Sequence, residues 1–244
     1  MVDSELHWHC YRARNCLVLT PQEDLDVRTY RVFRNGLVKF AMDQPRALVV
    51  IVDRLRIGSV ASLAAFTSAW MRISEWPGVP ILLVARQAAM RAALAGSTVS
   101  RYMAVYGSLH AAMTALSEPP LRRRSEIELV AVAASSRVAR TFVHRTCTDW
   151  DVADRIPDAE SVATELVENS IIHADTDLRL RLELHDGRLA VAVRDGSPRE
   201  AVLREDGRAG SGLRLVAELA TAWGCAPDSA GGKVVWAVLS RRRP

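Results

Sequence analysis

The stretch DLRLRLELHDGRLAVAVRDGSP, residues 177–198, decides the fold of the second half of this chain. Leucine or valine recurs at every second position on both sides of Asp186 and Gly187. Such alternation predicts two strands with one buried face, and an Asp-Gly pair between them predicts a two-residue hairpin turn. We therefore predict an antiparallel hairpin whose second strand ends at Asp195 and Gly196. That Asp-Gly pair is either a second turn or a carboxylate placed to accept a hydrogen bond from an exocyclic amine, with glycine leaving room for a flat ring.

The helix predicted before the hairpin carries ELVENSIIHA, residues 165–174. A Pro-Asp pair at 157–158 predicts its start, and steps of four place Glu165, Asn169 and His173 on one stripe. A solvated face of an amphipathic helix would explain the stripe. Asparagine is a mediocre helix former, however, and a surface more often carries Glu, Lys or Arg there. The stripe is therefore also a candidate active site.

A glycine-rich loop follows the hairpin. Gly207, Gly210 and Gly212 precede an amphipathic helix whose apolar side is predicted to reach Trp223, with Gly224 as its C-cap. A loop that enters a helix N-terminus presents free amides to an anion. The loop is not a Walker A motif, because no GK[ST] follows.

Length and composition predict two domains. A chain of 244 residues, 49% of them hydrophobic, can bury two ordinary cores. The segment EPPLRRRS, 118–125, combines a proline pair with a charge run and predicts a linker. Of 32 basic residues only Lys39 and Lys233 are lysines, which we attribute to genome composition. The arginine triplets at 122–124 and 241–243 are interpreted as solvated termini and not as a nucleic-acid site, because acids are interspersed throughout.

The first half alternates strand and helix patterns. The apolar runs CLVLT, ALVVIVD and PILLVA are separated by helical patterns such as 59–74 and 87–96, and GSLHAAMTAL closes the half as a last helix. This alternation predicts a small α/β domain. No run of 18 apolar residues is present, so we expect no membrane-spanning helix.

The cysteines and histidines do not predict a metal site or a disulfide framework. The four cysteines show no CxxC spacing, and the N-terminus lacks the apolar core of a signal peptide. The run HWHC at 7–10 has no second ligand pair to complete a tetrahedral site, so we interpret it as part of a loosely packed end.

Together these motifs resemble a known family. Residues from about 126 to 240 resemble the ATP-binding domain of the gyrase, histidine-kinase and MutL superfamily, and within it the anti-sigma factor serine kinase branch common in actinobacteria. That branch carries E-L-V-x-N-A-x-x-H-A, then D-G-S-P, then G-x-G-L-x-L-V. This chain has ELVENSIIHA, VRDGSP and GSGLRLV in the same order, followed by GGKVVWAVL. Ser170 stands where alanine is usual.

The resemblance implies roles for particular residues. Glu165 would be the general base, Asn169 would coordinate Mg²⁺, and Asp195 would receive the adenine amino group. Gly196 would make room for the base, and Gly210 and Gly212 would belong to the phosphate-side lid. For His173 two roles are open, a structural one in packing the helix end near the phosphates and a chemical one, and the first is favoured.

The first half, 14–118, resembles a STAS domain of the anti-sigma factor antagonist type. The resemblance is carried by VPILLVARQAAMRAALAGSTVSRYMAVYGSLHAAMTAL, and it implies a strand, a helix, a strand and a closing helix. Where that family has D-S-S-G-L this chain has SVASL, which places Val60 and Ala61 at the phosphoacceptor positions. Ser59 and Ser62 flank them as helix-capping or surface hydroxyls, or as shifted acceptors.

We therefore expect a two-domain α/β protein with an N-terminal extension (1–13), a STAS-like domain (14–118), a linker (119–125) and a Bergerat-type α/β sandwich (126–241). The expected function is that of an ATP- and Mg²⁺-dependent serine/threonine protein kinase that acts on an anti-sigma factor antagonist and regulates a sigma factor. The alternative is a non-catalytic adaptor that binds nucleotide, a sigma factor or a STAS partner. A histidine kinase is disfavoured, since His144 falls inside the domain's own first helix. We expect no direct nucleic-acid or membrane partner and a cytoplasmic location. Kinases of this branch are commonly dimeric, but the sequence does not fix the oligomeric state of this chain.

Overall fold

The computed structural model describes residues 7–22, 24–116, 122–174, 176–199, 201 and 211–239. These residues form a mixed α/β protein of two compact units, Met1–Pro119 and Pro120–Pro244. Gly207 and Gly210 of the predicted loop lie outside the described residues.

The first unit contains a five-stranded sheet of order β1-β2-β4-β6-β7, parallel except for the antiparallel pair β1-β2, and a separate parallel pair of β3 with β5. Its strands are β1 (Trp8–Ala13), β2 (Cys16–Pro21), β3 (Asp24–Leu25), β4 (Leu48–Ile51), β5 (Arg56–Ile57), β6 (Ile81–Val84) and β7 (Val105–Tyr106). Its helices are α1 (Tyr30–Met42), α2 (Ala64–Glu75), α3 (Ala88–Ala95) and α4 (Leu109–Ala115).

Apolar runs become the parallel strands because both faces of the sheet are covered. All four residues of β4 are buried, and alternate residues of β2, β4 and β6 pack against α4. The strands predicted from CLVLT, ALVVIVD and PILLVA are confirmed as β2, β4 and β6, and the closing helix is confirmed as α4.

The N-terminal segment is not the loose extension expected from the sequence. Residues 8–13 form β1, and Trp8 packs against the rings of Phe33 and Phe40 of α1 at centroid distances of 5.1 and 5.6 Å. The prediction was wrong because the aromatic partners of Trp8 lie 25 or more positions further along the chain.

The second unit is an antiparallel sheet of order β11-β12-β10-β9-β8 whose one face is covered by three helices. Its strands are β8 (Arg123–Leu129), β9 (Leu178–His185), β10 (Arg188–Asp195), β11 (Ala222–Pro227) and β12 (Lys233–Leu239). Its helices are α5 (Ser135–Asp149), α6 (Ile156–Ala174) and α7 (Ser211–Leu219). The predicted hairpin is confirmed as β9-β10, with positive φ at Asp186 (48°) and Gly187 (69°), as a type I′ turn requires.

Two predictions for this unit are corrected. Residues 123–125, predicted as linker, belong to β8, where Arg124 Nε donates to Glu183 Oε1 of β9 at 2.9 Å. Helix α7 ends at Leu219, and Gly224 lies in β11 instead of capping the helix. The segment that contains Gly224 is a strand because it pairs with β12. The ring of Trp236 in β12 lies 2.7 Å from where a Cβ of Gly224 would be, so glycine at this position leaves room for the ring.

Among the described residues, none of the helices has the length and apolar character needed to cross a membrane.

Candidate functional site

Glu165 lies half-buried in the third turn of α6, against the first turn of α7. A side chain added to Gly212 would collide with Glu165 Oε2, so the carboxylate reaches α7 only because position 212 is glycine. Burial raises the pKa of Glu165, and the nearby Glu168 carboxylate raises it further. A carboxylate of this kind is suited to accept a proton.

An open pocket of about 430 Å³ adjoins Glu165. It is lined by residues of the first turns of α6, by Arg140 of α5 and by Leu215 of α7. Arg140 Nη1 donates to Thr164 Oγ1 at 3.5 Å. The pocket therefore offers a hydroxyl-bearing side chain a route to the Glu165 carboxylate.

Asn169 follows Glu165 by one helical turn and is half-buried. Among the described residues no three His, Cys, Asp or Glu side chains cluster as metal ligands. One amide oxygen fits a Mg²⁺ ion that takes most of its ligands from phosphates and water. Asn169 is therefore chemically compatible with the predicted magnesium role.

Asp195, the last residue of β10, is fully buried and already paired. Its Oδ1 accepts hydrogen bonds from Lys233 Nζ (2.8 Å) and Ser197 N (2.9 Å), and its Oδ2 accepts from Ser170 Oγ (2.8 Å). The side chains of Asp195 and Lys233 are 0% and 6% exposed. The carboxylate thus joins α6, β10 and β12 through a buried ion pair.

The backbone around Asp195 is equally close-packed. Gly196 N donates to Thr176 Oγ1 at 2.9 Å, and Thr176 Cγ2 lies 3.0 Å from where a Cβ of Gly196 would be. A Cβ on Gly232 would collide with the Asp195 carbonyl oxygen. Asp228 stabilises the turn between β11 and β12, because its Oδ1 accepts a hydrogen bond from Gly232 N at 2.8 Å.

The structure places several of the predicted residues on or against α6, where Ser170 donates to Asp195 Oδ2. Glu165 meets Gly212, and Asn169 lies next along α6 from Glu165. The described pocket adjoins Glu165 and does not include Asp195 or Gly196, where a base was predicted to bind. His173 is exposed at the end of α6.

In the first unit, SVASL begins a short helical turn ahead of α2. Ser59 caps this turn, with its Oγ accepting from Ser62 N at 3.3 Å and lying 3.0 Å from Ser62 Oγ. Val60, 68% exposed, and Ala61 present apolar surface, whereas Ser62 is buried.

Comparisons with known proteins identify no family for this chain. No protein-family model matches the chain, and neither does any curated protein. The chain is similar in fold to solved anti-sigma factor antagonists over just under half of its length. One, from Mycobacterium paratuberculosis, is 18% identical over 47% of this chain and 97% of that chain, with a TM-score of 0.40. The RsbS protein of Moorella thermoacetica is 20% identical over 45% of this chain and 93% of that chain, with a TM-score of 0.36.

Sequence reasoning missed two residues that contact Asp195. Ser170 stands where alanine is usual and was given no role from the sequence, yet its hydroxyl donates to the carboxylate. Lys233 was attributed to genome composition. A lysine retained in a chain that otherwise uses arginine almost throughout was the available signal, because a compact ammonium fits a buried single-oxygen contact better than a planar guanidinium.

Proposed function

We propose that the second unit binds ATP with Mg²⁺ and transfers the γ-phosphoryl group to a serine or threonine of an anti-sigma factor antagonist of the STAS type, thereby regulating a sigma factor. The observation that carries this proposal is the contact between Glu165 and the first turn of α7 at Gly212. It puts a candidate base beside a helix N-terminus, the part of a helix that attracts phosphate.

Glu165 would act on the acceptor hydroxyl. As the hydroxyl oxygen bonds to the γ-phosphorus, the bond to the β–γ bridging oxygen breaks, ADP leaves, and the hydroxyl proton passes to Glu165. The raised pKa of Glu165 favours that proton transfer. Bound Mg²⁺ would supply charge neutralisation, with Asn169 as its protein ligand.

The α6 pocket supports a protein substrate. Its lining includes Glu165 and not Asp195, so an acceptor side chain in the pocket and a base at Asp195 would occupy different places. The proposal of a STAS-type antagonist as substrate is supported by the order of ELVENSIIHA, VRDGSP and GSGLRLV in the second half and by the STAS-type sequence pattern of the first half.

The test is phosphoryl transfer by the full chain. Purified protein, labelled ATP and Mg²⁺ are incubated with a panel of STAS antagonists; wild type should label one or more, and Glu165→Gln should bind ATP yet label none. Asn169→Ala should lose both binding and transfer. Equal labelling by wild type and Glu165→Gln would contradict the role of the base.

A second candidate function is favoured by the pairing of Asp195. A carboxylate that already has an ammonium, a hydroxyl and an amide as partners can serve as a purely structural link between α6, β10 and β12. The unit would then be a non-catalytic adaptor that binds a sigma factor or a STAS protein. Absence of ATP binding to wild type at millimolar concentration, with partner binding retained, would establish the adaptor.

A further inference from the structure

Two contacts join the exposed sides of α5 and α6, and they differ in their charge balance. His144 Nδ1 lies 3.1 Å from Glu160 Oε1, so an imidazole meets a carboxylate. One helical turn away, Arg140 Nη1 donates to Thr164 Oγ1 at 3.5 Å, so a guanidinium meets a neutral hydroxyl. Within the part of the chain that the structure describes, Arg140 forms no ion pair with a carboxylate. Its positive charge is therefore available to a binding partner.

Arg140 is also exposed, and among the described residues it is the one cationic side chain that lines the pocket beside Glu165. The two carboxylates of the lining are engaged elsewhere, since Glu160 contacts His144 and Glu165 lies against Gly212. A guanidinium presents its N–H donors as a planar fork that matches both oxygens of a carboxylate. Arg140 therefore offers an accessible binding position for an acid in the same pocket as the candidate base.

We propose that Arg140 is a docking residue that binds an aspartate or glutamate side chain of the acceptor protein, near the serine or threonine that enters the pocket. This inference rests on the proposed phosphoryl transfer to a protein substrate. The pocket would then recognise two groups of one acceptor segment, with Glu165 receiving the hydroxyl and Arg140 the acid. A segment with a basic side chain in place of the acid would be rejected, because like charges would meet at Arg140.

Steady-state kinetics of the full chain, with an antagonist of the panel that wild type labels, separate docking from chemistry. Arg140→Gln should raise KM for the antagonist at least about fivefold, whereas kcat and the dissociation constant for ATP with Mg²⁺ should stay within about twofold of wild type. Arg140→Lys keeps the charge but loses the planar fork, so its KM should lie between the two. Arg145→Gln removes another exposed arginine of α5, one that does not line the pocket, and is the matched control. Added NaCl should raise KM more for wild type than for Arg140→Gln, because salt screens a charge pair.

A charge exchange identifies the acid on the acceptor protein. Arg140→Glu should abolish labelling of the antagonist. The exposed aspartates and glutamates around the acceptor hydroxyl are then replaced by arginine one at a time, and one of these replacements should restore labelling by Arg140→Glu while weakening labelling by wild type. Failure of every replacement to restore labelling would overturn the inference.

The outcomes separate the inference from the proposed function. An unchanged KM in Arg140→Gln, or an equal rise in Arg145→Gln, overturns the inference alone. Weaker ATP binding by Arg140→Gln with an unchanged KM for the antagonist does the same, because Arg140 would then contact the nucleotide. If wild type binds an antagonist but labels none, phosphoryl transfer fails, and the dissociation constants of that antagonist for wild type and Arg140→Gln still test the docking contact. If wild type neither binds nor labels any antagonist, both fail.

Discussion

Two carboxylates of the second unit lie in contrasting surroundings. Glu165 is half-buried, and burial together with Glu168 raises its pKa, whereas Asp195 is fully buried against the Lys233 ammonium. Environments that differ in this way assign different chemistry to the same functional group. Glu165 is suited to take up a proton, whereas Asp195 is held in place by its contacts with Lys233, Ser197 and Ser170.

The raised pKa of Glu165 predicts a pH dependence for phosphoryl transfer. A base works only when ionised, so kcat/KM should fall as pH drops through the raised pKa, at higher pH than for an ordinary glutamate. Glu168→Gln removes one cause of the shift and should move this acid limb to lower pH. Glu218→Gln, on the exposed side of α7, is the control. If the acid limb of the kcat/KM profile lay at the same pH in wild type and in Glu168→Gln, Glu168 would not raise the pKa of Glu165.

Sequence spacing predicted the contacts along one helix but not those between strands. Steps of four suffice to place Glu165 beside Asn169, because both belong to α6. The pair of Asp195 and Lys233 depends on the register of β10 with β12, in which these two residues are directly opposite. That register is set by packing of the whole sheet, which no local pattern contains.

Two glycines let neighbouring segments of the second unit come close together, for different reasons. Gly212 leaves room for the mobile end of the Glu165 side chain, whereas Gly232 leaves room for the backbone at Asp195. A flexible side chain can rotate away from an added methyl group, but a strand backbone in a sheet cannot.

Alanine at the two positions should therefore have opposite consequences. Gly212→Ala should change the free energy of unfolding by less than about 1 kcal/mol while lowering phosphoryl transfer as Glu165→Gln does, because the carboxylate is displaced. Gly232→Ala should cost about 1–3 kcal/mol of stability. Urea unfolding and the transfer assay measure both. Wild-type transfer by Gly212→Ala, or wild-type stability of Gly232→Ala, would contradict this account.

Strands and helices could be predicted from the sequence where a short stretch of neighbouring residues carries the whole pattern. The β9-β10 hairpin followed from alternation and its Asp-Gly turn, and β12 followed from KVVWAVL. The end of α7 did not, because the helical period of the sequence continues past Leu219 while pairing with β12 extends residues 222–227 as a strand. Tertiary pairing overrides local propensity there.

For the molecule as a whole, the fused STAS-like half raises the question whether the chain is its own substrate. The surface at the expected acceptor position is apolar, since Val60 and Ala61 are exposed. The flanking hydroxyls of Ser59 and Ser62 bond to the helix start and to each other, and Ser62 is buried. This geometry fits a docking half that lacks an acceptor.

We accordingly expect no stoichiometric phosphate on Ser59 or Ser62 after incubation of the chain with ATP and Mg²⁺. Mass spectrometry of the intact protein and its peptides measures this, with Glu165→Gln as the matched control. Stoichiometric phosphate on either serine that disappears in Glu165→Gln would show that the first unit is an ordinary substrate.

The position of β12 has a consequence for the order in which the chain folds on the ribosome. The strand lies between β11 and β10, so the sheet of the second unit remains split until residue 239 has emerged from the exit tunnel. In the first unit each of β4, β6 and β7 adds beside a strand already made, and the sheet can grow during synthesis. A nascent chain arrested near residue 220 should accordingly contain a folded first unit and expose the leucine-rich face of β9 to chaperones.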